Sequence, residues 1–327
     1  MRAMVLHTIG RPLTLEQFDD PEPGPDEVRL KVEACGVCRT DLHVVDGELP
    51  HVRPPVVPGH EVVGVVERVG AQASGLVVGQ RAGVPWLGSA CGRCGYCRRG
   101  QENLCDFPQF TGYTRPGGFA SHIVARAAFC VPFATDVDAV ATAPLLCAGL
   151  IGWRALVKAG DGADLGLYGF GAAAHLLTQV AVHQGRRVYA FTRAGDRDAQ
   201  AFARAQGACW AGDADAPAPV PLDAAIIFAP AGELVPLALR AVRKGGRVVC
   251  GGIHMSDVPS FPYRLLWEER ELASVANLTR TDAREFFAVA ARAGVHATTR
   301  TYPLESANHA LDDLRRGRLS GAAVLVP

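Results

Sequence analysis

The sequence predicts an α/β protein in two parts: a mainly-β N-terminal half, followed by a doubly wound parallel sheet. Three observations predict this. Residues 1–130 hold short valine-rich segments divided by glycine and proline, with no long helical pattern. After residue 160, apolar strand-like runs alternate with helical patterns, the order expected of a parallel sheet covered by helices. At 165–176 a strand leads through a glycine turn into a helix.

The strands of the first half are predicted from short apolar or alternating runs. These runs are MRAMVLH, LTLEQF, VRLKVEA, VVPGHEVVGVVERVG, QRAGVPW and two within GGFASHIVARAAFCVPF. Short helices are expected near the candidate metal ligands. Residues 135–160 have helical spacing and lead into the second part.

The glycine turn has the G-x-G-x-x-A spacing of a dinucleotide site within a strand–helix–strand unit. The predicted strands are Leu165–Tyr168 and Val188–Phe191. Gly169 allows the tight turn, and Gly171 lets the backbone approach a pyrophosphate at the N-terminus of the helix. Ala174 replaces the third glycine and is small enough for helix–strand packing.

The alternation continues to the C-terminus. FARAQGA, ELVPLALRAVRK and TDAREFFAVAARAG are predicted helices, and LDAAIIFAP, GGRVVCGGI and ELASVANL are predicted strands. The final segment is expected to hold one more helix and a last strand.

Four cysteines close together predict a structural zinc site. They have the spacing C-x2-C-x2-C-x7-C, and four thiolates complete a tetrahedron around the ion: Cys91, Cys94, Cys97 and Cys105. Two disulfides or an iron–sulfur cluster would also use four cysteines. We find no signal peptide before them, so we do not expect an oxidising compartment, and iron–sulfur ligation usually has other spacings.

A second donor set lies between residues 35 and 61. Cys38 offers a thiol, His60 an imidazole and Glu61 a carboxylate. A catalytic zinc takes three protein ligands and leaves one position open, so a third ligand must come from elsewhere. Cys147 is the best candidate. Taken alone, Cys38 and His60 could equally be a buried thiol and a loop histidine.

Composition describes an ordinary globular protein. The chain has 327 residues, long enough for two domains, and is 49% hydrophobic and 20% charged with zero formal net charge. No basic stripe with interleaved aromatic residues supports a nucleic-acid partner, and no apolar run of about 18 residues predicts a membrane span. We expect a reducing, cytoplasmic setting. Of ten cysteines, the four outside the donor sets are predicted to be small buried residues: Cys35, Cys130, Cys209 and Cys250.

With these motifs in hand, the chain resembles the zinc-dependent medium-chain alcohol dehydrogenases over essentially its whole length. The motifs are CGVCRTDLH, PGHE, the segment 91–105 that holds the four cysteines (the four-cysteine lobe), PLLCAG and LGLYGFGAAAHL, in the family's order. The resemblance implies a GroES-like catalytic domain at 1–148, completed by 289–327, and a Rossmann domain at 149–288. It implies a hydride transfer between an alcohol, or its aldehyde or ketone, and a nicotinamide cofactor.

The resemblance also implies residue roles. Two zinc ions per chain are expected, a catalytic ion on Cys38, His60 and Cys147 with Glu61 beside it, and a structural ion on the four cysteines. Thr40 and His43 would relay the proton of the alcohol, and Asp41 would orient His60. Trp86, Leu87 and Tyr113 are candidate substrate contacts. The expected cofactor contacts are Arg39, Gly169, Gly171, Ala172, Ala174, Thr192, Arg193 and Arg280.

The strand after the glycine turn predicts which cofactor is preferred. In NAD-dependent members of the family an acidic residue ends that strand and binds the ribose 2′-hydroxyl. Here the strand ends at Thr192 and Arg193, while Asp196 and Asp198 are expected to cap the next helix. A guanidinium can donate two hydrogen bonds to a phosphate, so we expect NADP to be preferred, with NAD possible.

Two other functions compete with this interpretation. A metal-independent quinone or enoyl reductase of the same fold would not need Cys38, His60 and Cys147 together. A zinc-ribbon module binding nucleic acid or protein would not explain the glycine turn. We therefore expect a small alcohol or aldehyde as substrate, no nucleic-acid or membrane partner, and a homodimer or homotetramer.

Overall fold

The chain folds into two units. The computed structural model describes residues 1–50, 52–319 and 321–327. Unit 1 comprises Met1–Ala148, Asn277–Arg284 and His296–Pro327, and unit 2 comprises Gly149–Ala276 and Glu285–Val295.

Unit 1 consists mainly of β strands, as the valine-rich segments predict. Its strands are β1 Arg2–Val5, β2 Thr14–Gln17, β3 Glu27–Val37, β4 Glu61–Val69, β5 Arg81–Val84, β6 Leu87–Ser89, β7 Gln109–Phe110, β8 His122–Arg126, β9 Val131–Pro132, β16 Thr299–Pro303 and β17 Ala322–Val326. Its helices are short: α1 Arg39–Asp46, α2 Gly95–Arg98, α3 Ala139–Thr142 and α9 Ala307–Arg315.

The larger sheet of unit 1 positions the metal-ligand segments. Its strand order is β16-β17-β3-β4-β5-β9, with β8 also paired to β3. Strand β3 is central and mostly buried, because it pairs with β4, β8 and β17. Helix α1 follows the end of β3, and β4 begins at Glu61, so the antiparallel pair β3–β4 carries the ends of the two ligand-bearing segments towards each other.

Unit 2 is the doubly wound sheet predicted from the alternation of strands and helices. Its strands are β10 Asp164–Tyr168, β11 Arg187–Thr192, β12 Trp210–Asp213, β13 Leu222–Ile227, β14 Val242–Cys250 and β15 Glu271–Ser274. The helices are α4 Ala148–Ala159, α5 Ala172–His183, α6 Arg197–Ala205, α7 Leu234–Ala241 and α8 Arg280–Ala293, the first and last of which extend into unit 1. All strand pairs are parallel, in the order β12-β11-β10-β13-β14-β15.

Aromatic packing connects the strand before the glycine turn with two strands that follow it. Tyr168 and Phe191 are buried and stack with ring centroids 4.2 Å apart. The ring centroid of Trp210, at the start of β12, lies 5.0 Å from that of Phe191. This packing joins the C-terminal ends of β10 and β11, where the predicted cofactor residues lie.

Several predicted boundaries are wrong, each for a local reason. The helix predicted at 233–244 ends at Ala241, because Val242 pairs with Leu222 and begins β14. Residues 56–60, VVPGH, do not belong to the strand predicted there, since β4 begins only at Glu61 after Gly59 takes a left-handed φ of +98°. The strand predicted at 271–278 ends at Ser274, and β12 was not predicted at all.

The prediction for the four remaining cysteines is only partly correct. Cys35 is buried, whereas Cys130 and Cys250 are half-buried and Cys209 is exposed. The Sγ atom of Cys209 lies 3.2 Å from the carbonyl of Val188.

No single helix in the described ranges is both long and apolar enough to cross a membrane. One bent pair, Ala139–Leu146 with Ala148–Ala159, meets the length and composition together, with a 45° bend between its halves.

Candidate metal centres and cofactor site

The four cysteines of the lobe converge on one point. The Sγ atoms of Cys91 and Cys97, and those of Cys94 and Cys105, are each 4.0 Å apart. Thiolates on a tetrahedral zinc ion are about 3.8 Å apart, given Zn–S bonds of about 2.3 Å, whereas a disulfide needs about 2.05 Å. The distances therefore fit a zinc ion and exclude the two disulfides.

Backbone N–H groups around the lobe favour thiolates. The N–H of Cys94 donates to the sulfur of Cys91, and that of Cys97 to the sulfur of Cys94. Hydrogen bonds from the N–H groups of Cys97 and Asp106 lower the pKa of Cys94 to about 6. Metal ligation requires deprotonated thiols, which these bonds favour at Cys94, whereas burial raises the pKa of Cys97 to about 12.

The second donor set is also assembled. The ligand atoms of Cys38, His60, Glu61 and Cys147 all lie within 4.8 Å of one another. Cys38 Sγ is 3.1 Å from His60 Nε2 and 3.9 Å from Cys147 Sγ. Two thiolates and one imidazole around an ion, with one position left open, form the donor set of a catalytic zinc.

One buried carboxylate holds two of these ligand-bearing segments together. Asp41 Oδ2 accepts the backbone N–H of Cys38, the N-cap of α1, at 2.9 Å. Asp41 Oδ1 accepts the backbone N–H of Gly59 and the Nδ1–H of His60, both at 3.1 Å. Because Nδ1 is the donor to Asp41, the lone pair of Nε2 faces Cys38, as ligation requires.

Burial and charge shift the pKa values of these ligands. Burial raises the pKa of the Cys38 thiol well above its usual value, and its contact with Cys147 adds to the shift. Burial alone would lower the pKa of His60, but the charges of Cys38 and Asp41 outweigh it and raise that pKa. A metal ion binds both groups deprotonated, so its binding here must release protons.

Glu61, the first residue of β4, supplies the carboxylate of this donor set. Burial raises the pKa of its carboxyl, and the Cys38 thiolate raises it further. A Cβ atom on Gly36 would lie 1.8 Å from Glu61 Oε2, so glycine is required at that point of β3. The Glu61 side chain thus occupies space that any other residue at position 36 would fill.

An aromatic stack lies against the imidazole. The ring of Trp86 meets His60 edge-on, with ring centroids 4.9 Å apart. Phe110 and Tyr113 both stack on Trp86, at 5.1 and 5.7 Å. Leu87, predicted with Trp86 and Tyr113 to line the pocket, is buried in β6. Phe110 was not singled out from the sequence.

Helix α1 carries the other residues predicted near the metal. Arg39 is exposed in its first turn, and the backbone N–H of Thr40 donates to Cys38 Sγ at 3.3 Å. His43 is buried, and its Nδ1 is hydrogen-bonded to the carboxylate of Glu48, a partner that sequence analysis missed. A histidine at neutral pH with one nitrogen fixed by a carboxylate can pass a proton through the other.

Arg280 is held by the four-cysteine lobe. Its backbone N–H donates to Glu102 Oε1 at 2.8 Å, and its Nη2 donates to Oε2 at 2.6 Å. The guanidinium also lies 4.7 Å from the ring centroid of Phe129. The sequence predicts a pyrophosphate contact for Arg280 and did not reveal Glu102, because 178 residues separate the two.

The glycine turn has the geometry that its spacing predicts. Gly169 has φ +87°, and a Cβ atom there would lie 2.8 Å from the backbone nitrogen of Ala229. Gly171 is the N-cap of α5, which starts at Ala172, and no neighbour lies within 4 Å of a Cβ built on it. Ala174 is fully buried. The N-terminus of the helix is therefore approachable by a phosphate group.

The end of β11 differs from the expectation in one respect. Thr192 is buried and its hydroxyl donates inward, to the carbonyl of Arg193 or of Gly212. Arg193 is exposed and pairs with Asp196 at 3.3 Å. Asp196 caps α6 by accepting the N–H of Ala199, as predicted. The guanidinium, and not the hydroxyl, is thus the group presented to solvent.

Comparison with known proteins decides the family. The alcohol dehydrogenase GroES-like domain matches residues 24–135. Over 314 residues the chain is 48% identical to "Probable alcohol dehydrogenase AdhA" of Mycobacterium tuberculosis, covering 94% of this chain and 90% of that protein. The chain belongs to the zinc-dependent medium-chain alcohol dehydrogenases.

Solved structures agree with this family. A dehydrogenase from Sinorhizobium meliloti, called zinc-binding by its investigators and bound to NADP, has TM-score 0.87 and 27% identity, covering 100% of this chain and 99% of its own. Acetophenone reductase from Geotrichum candidum in complex with NAD has TM-score 0.89 and 26% identity, covering 100% and 97%. The chain is therefore an alcohol dehydrogenase that transfers hydride between an alcohol, or its carbonyl product, and a nicotinamide cofactor, and a quinone or enoyl reductase is not favoured.

We predict that Glu102→Gln lowers the free energy of unfolding by about 1–3 kcal/mol at pH 7, since hydrogen bonds between charged groups are lost. Burial alone would raise the pKa of Glu102, but its hydrogen bonds to Arg280 outweigh this and lower it. The stabilisation is therefore present above the unfolded pKa of about 4.3 and is lost as the pH falls through the lower folded pKa.

Chemical denaturation of wild type and variant between pH 3 and pH 8 checks this. The two curves should converge at the acidic end. Glu285→Gln, the same change at an exposed position of α8, is the matched control and should leave stability unchanged. A difference in the free energy of unfolding between wild type and Glu102→Gln that persists at pH 3 would contradict the stabilising role of the bonds between Glu102 and Arg280.

Proposed function

We propose that the enzyme binds two zinc ions with different tasks. The catalytic ion would be bound by Cys38, His60 and Cys147, with the carboxylate of Glu61 beside it. The structural ion is bound by the lobe, Cys91, Cys94, Cys97 and Cys105. The contrast between four thiols in one set and two thiols, an imidazole and a carboxylate in the other is the observation that carries this proposal.

The residues around the open set would prepare the substrate. Zinc bound there supplies a Lewis acid that lowers the pKa of an alcohol, and the nicotinamide supplies the hydride acceptor. Asp41 holds His60 in one tautomer and orientation. The stack of Trp86, Phe110 and Tyr113 offers an apolar, largely planar wall, so the substrate class is a small alcohol or aldehyde with an apolar group.

The proton of the alcohol would leave along helix α1. Thr40 is close to a proposed metal ligand, since its backbone N–H donates to Cys38 Sγ. His43 lies one turn further along the helix and is fixed by Glu48. We propose Thr40 and His43 as the relay, with Glu48 stabilising the imidazolium that forms when His43 takes the proton.

Arg39 and Arg280 remain proposed pyrophosphate contacts. Arg39 is exposed in the first turn of α1. The guanidinium of Arg280 is about half exposed, so its free edge could meet a phosphate while Glu102 keeps the other edge. Gly169, Gly171, Ala172 and Ala174 would hold the cofactor by backbone approach at the start of α5.

We propose a preference for NADP over NAD. The fold accommodates both cofactors in similar structures, so the choice must come from residues near the adenosine ribose. The exposed guanidinium of Arg193, with no acidic residue ending β11, supports phosphate recognition. Because the Thr192 hydroxyl faces inward, its predicted phosphate contact would require it to leave Gly212 and Arg193.

A surface of unit 2 supports a homodimer, or a tetramer built from such dimers. Strand β15 ends the sheet and pairs only with β14 in the described ranges. Near it in sequence, exposed apolar side chains include Ile253, Tyr263, Trp267 and Leu272. An unpaired edge beside exposed aromatic residues favours pairing with a second copy.

We also propose domain bounds and a cellular location. The catalytic domain would comprise 1–148 and 289–327, with 149–288 as the cofactor domain. A cytoplasmic location fits ten cysteines that are all free thiols, six of them in the two donor sets.

We predict that Cys147→Ser removes one of two zinc ions and lowers turnover more than about 100-fold, while the thermal midpoint changes little, since the lobe is intact. Cys97→Ser should remove the other ion and lower the thermal midpoint by several degrees, because structural metal binding contributes folding energy. Metal analysis and calorimetry of both variants check this. Cys130→Ser, outside both sets, should keep two ions; full metal content in Cys147→Ser would refute its ligand role.

We predict that Arg193→Asp reverses the cofactor preference. Loss of the charged hydrogen bonds to the 2′-phosphate should lower kcat/KM for NADP about 10- to 100-fold, and the new carboxylate should favour NAD. Steady-state kinetics with both cofactors is the measurement. Arg197→Asp, the same charge change in α6, is the control. Reversal by Arg197→Asp alone would place the phosphate contact there.

We predict that Trp267→Glu or Leu272→Glu dissociates the oligomer, because a buried unpaired charge opposes association. Sedimentation should give a mass near 34.6 kDa for the variants and two or four times that for wild type. Val157→Glu, at an exposed apolar residue of α4, should not change the mass. A monomeric wild type would be evidence against this surface.

A further inference from the structure

A buried glutamine joins the ends of two strands at the proposed adenosine side of unit 2. Gln200 lies in α6 and is only 3% exposed. Its Nε2 donates to Thr192 Oγ1 at 3.2 Å and to Asp213 Oδ1 at 2.8 Å. Thr192 ends β11 and Asp213 ends the neighbouring β12, so one side chain fixes both strand ends relative to the helix.

The same carboxylate fixes the turn that follows β11. Asp213 Oδ1 also accepts the backbone N–H of Gly195 at 3.1 Å. Gly195 has φ +74°, and Asp196 N–H donates to the carbonyl of Arg193 at 3.1 Å. The turn 193–196 is therefore held from inside by Asp213, whose position depends in turn on Gln200.

This arrangement determines which groups face solvent. Gln200 donates to the Thr192 hydroxyl, which leaves that hydroxyl to donate to a backbone carbonyl inside the unit. The carboxylate of Asp213 is likewise directed to Gly195 and Gln200. What remains outside is Arg193, with its side chain 92% exposed.

We propose that Gln200 is a positioning residue for cofactor choice. It holds the turn 193–196 in the conformation that presents the Arg193 guanidinium, and it keeps the Asp213 carboxylate turned away from a 2′-phosphate. This inference rests on the proposed preference for NADP. Gln200 touches no cofactor atom and acts through Arg193 and Asp213.

The test replaces Gln200 with methionine, which has similar length and no hydrogen bonds. In Gln200→Met, KM for NADP should rise about 5- to 20-fold, the factor expected when a charge-assisted hydrogen bond is misaligned. KM for NAD and both kcat values should stay within about 2-fold, since the glycine turn is unchanged. Gln206→Met, the same change at the end of α6, is the matched control and should alter neither KM.

A double variant separates positioning from general weakening of the fold. Combined with Arg193→Ala, Gln200→Met should add no further loss with NADP, because the group it positions is gone. An equal rise of KM for both cofactors, or an undiminished effect in the Arg193→Ala background, would overturn the proposal.

Amide exchange makes the test independent of the cofactor preference. The Gly195 N–H should exchange faster in Gln200→Met than in wild type, because Asp213 is released from one of its donors. If Arg193→Ala leaves KM for NADP unchanged, the NADP proposal fails on its own. Faster exchange at Gly195 would then still support the role of Gln200 in holding the turn 193–196, and unchanged exchange would overturn that role.

Discussion

The carboxylate of Asp41 is the constraint on which the metal centre depends. It is fully buried, and its oxygens bond to Cys38, Gly59 and His60. A buried carboxylate without such donors would be very costly, so these bonds fix α1 against the segment before β4 even without an ion. Two of the three proposed ligands of the catalytic ion, Cys38 and His60, are thereby held together by protein contacts alone. Cys147 belongs to a separate segment and lies between the 3₁₀ helix Ala143–Leu146 and α4.

The two candidate metal sites differ in what surrounds them. The lobe cysteines are held by local backbone hydrogen bonds, within a segment of fifteen residues whose glycines allow the chain to turn. One long-range connection, Glu102 with Arg280, ties this lobe to the start of α8. The second set is instead drawn from three separate parts of unit 1, and the ring of Trp86 packs against its imidazole. Closure suits a structural role, whereas an open position with an apolar wall suits a substrate.

The sequence indicates those groups whose arrangement follows from local spacing, and it does not indicate those whose arrangement follows from tertiary pairing. The cysteine spacing, the PGHE segment and the glycine turn each carry their geometry within a few residues, and the fold class was confirmed. The roles of Glu48, Glu102 and Asp213 were missed because the neighbouring sequence does not indicate which group an acidic side chain will contact in the folded chain. The end of α7 at Ala241 was missed because strand pairing of Val242 outweighs the helical pattern there. Cys209 is exposed although its type favours burial.

The end of β11 shows how tertiary contacts change the meaning of a correct sequence observation. The absence of an acidic residue at Thr192 and Arg193 is visible in the sequence, but the direction of the hydroxyl is not. A carboxylate does lie nearby in space, at Asp213 in the next strand, and it is occupied by Gln200 and Gly195. Under the proposed preference for NADP, electrostatic selection at this point would depend on two features together, an exposed cation and a nearby carboxylate that is already hydrogen-bonded. The direction of that carboxylate would decide how strongly a phosphate is opposed, and it is fixed in part by Gln200, an uncharged side chain in the core.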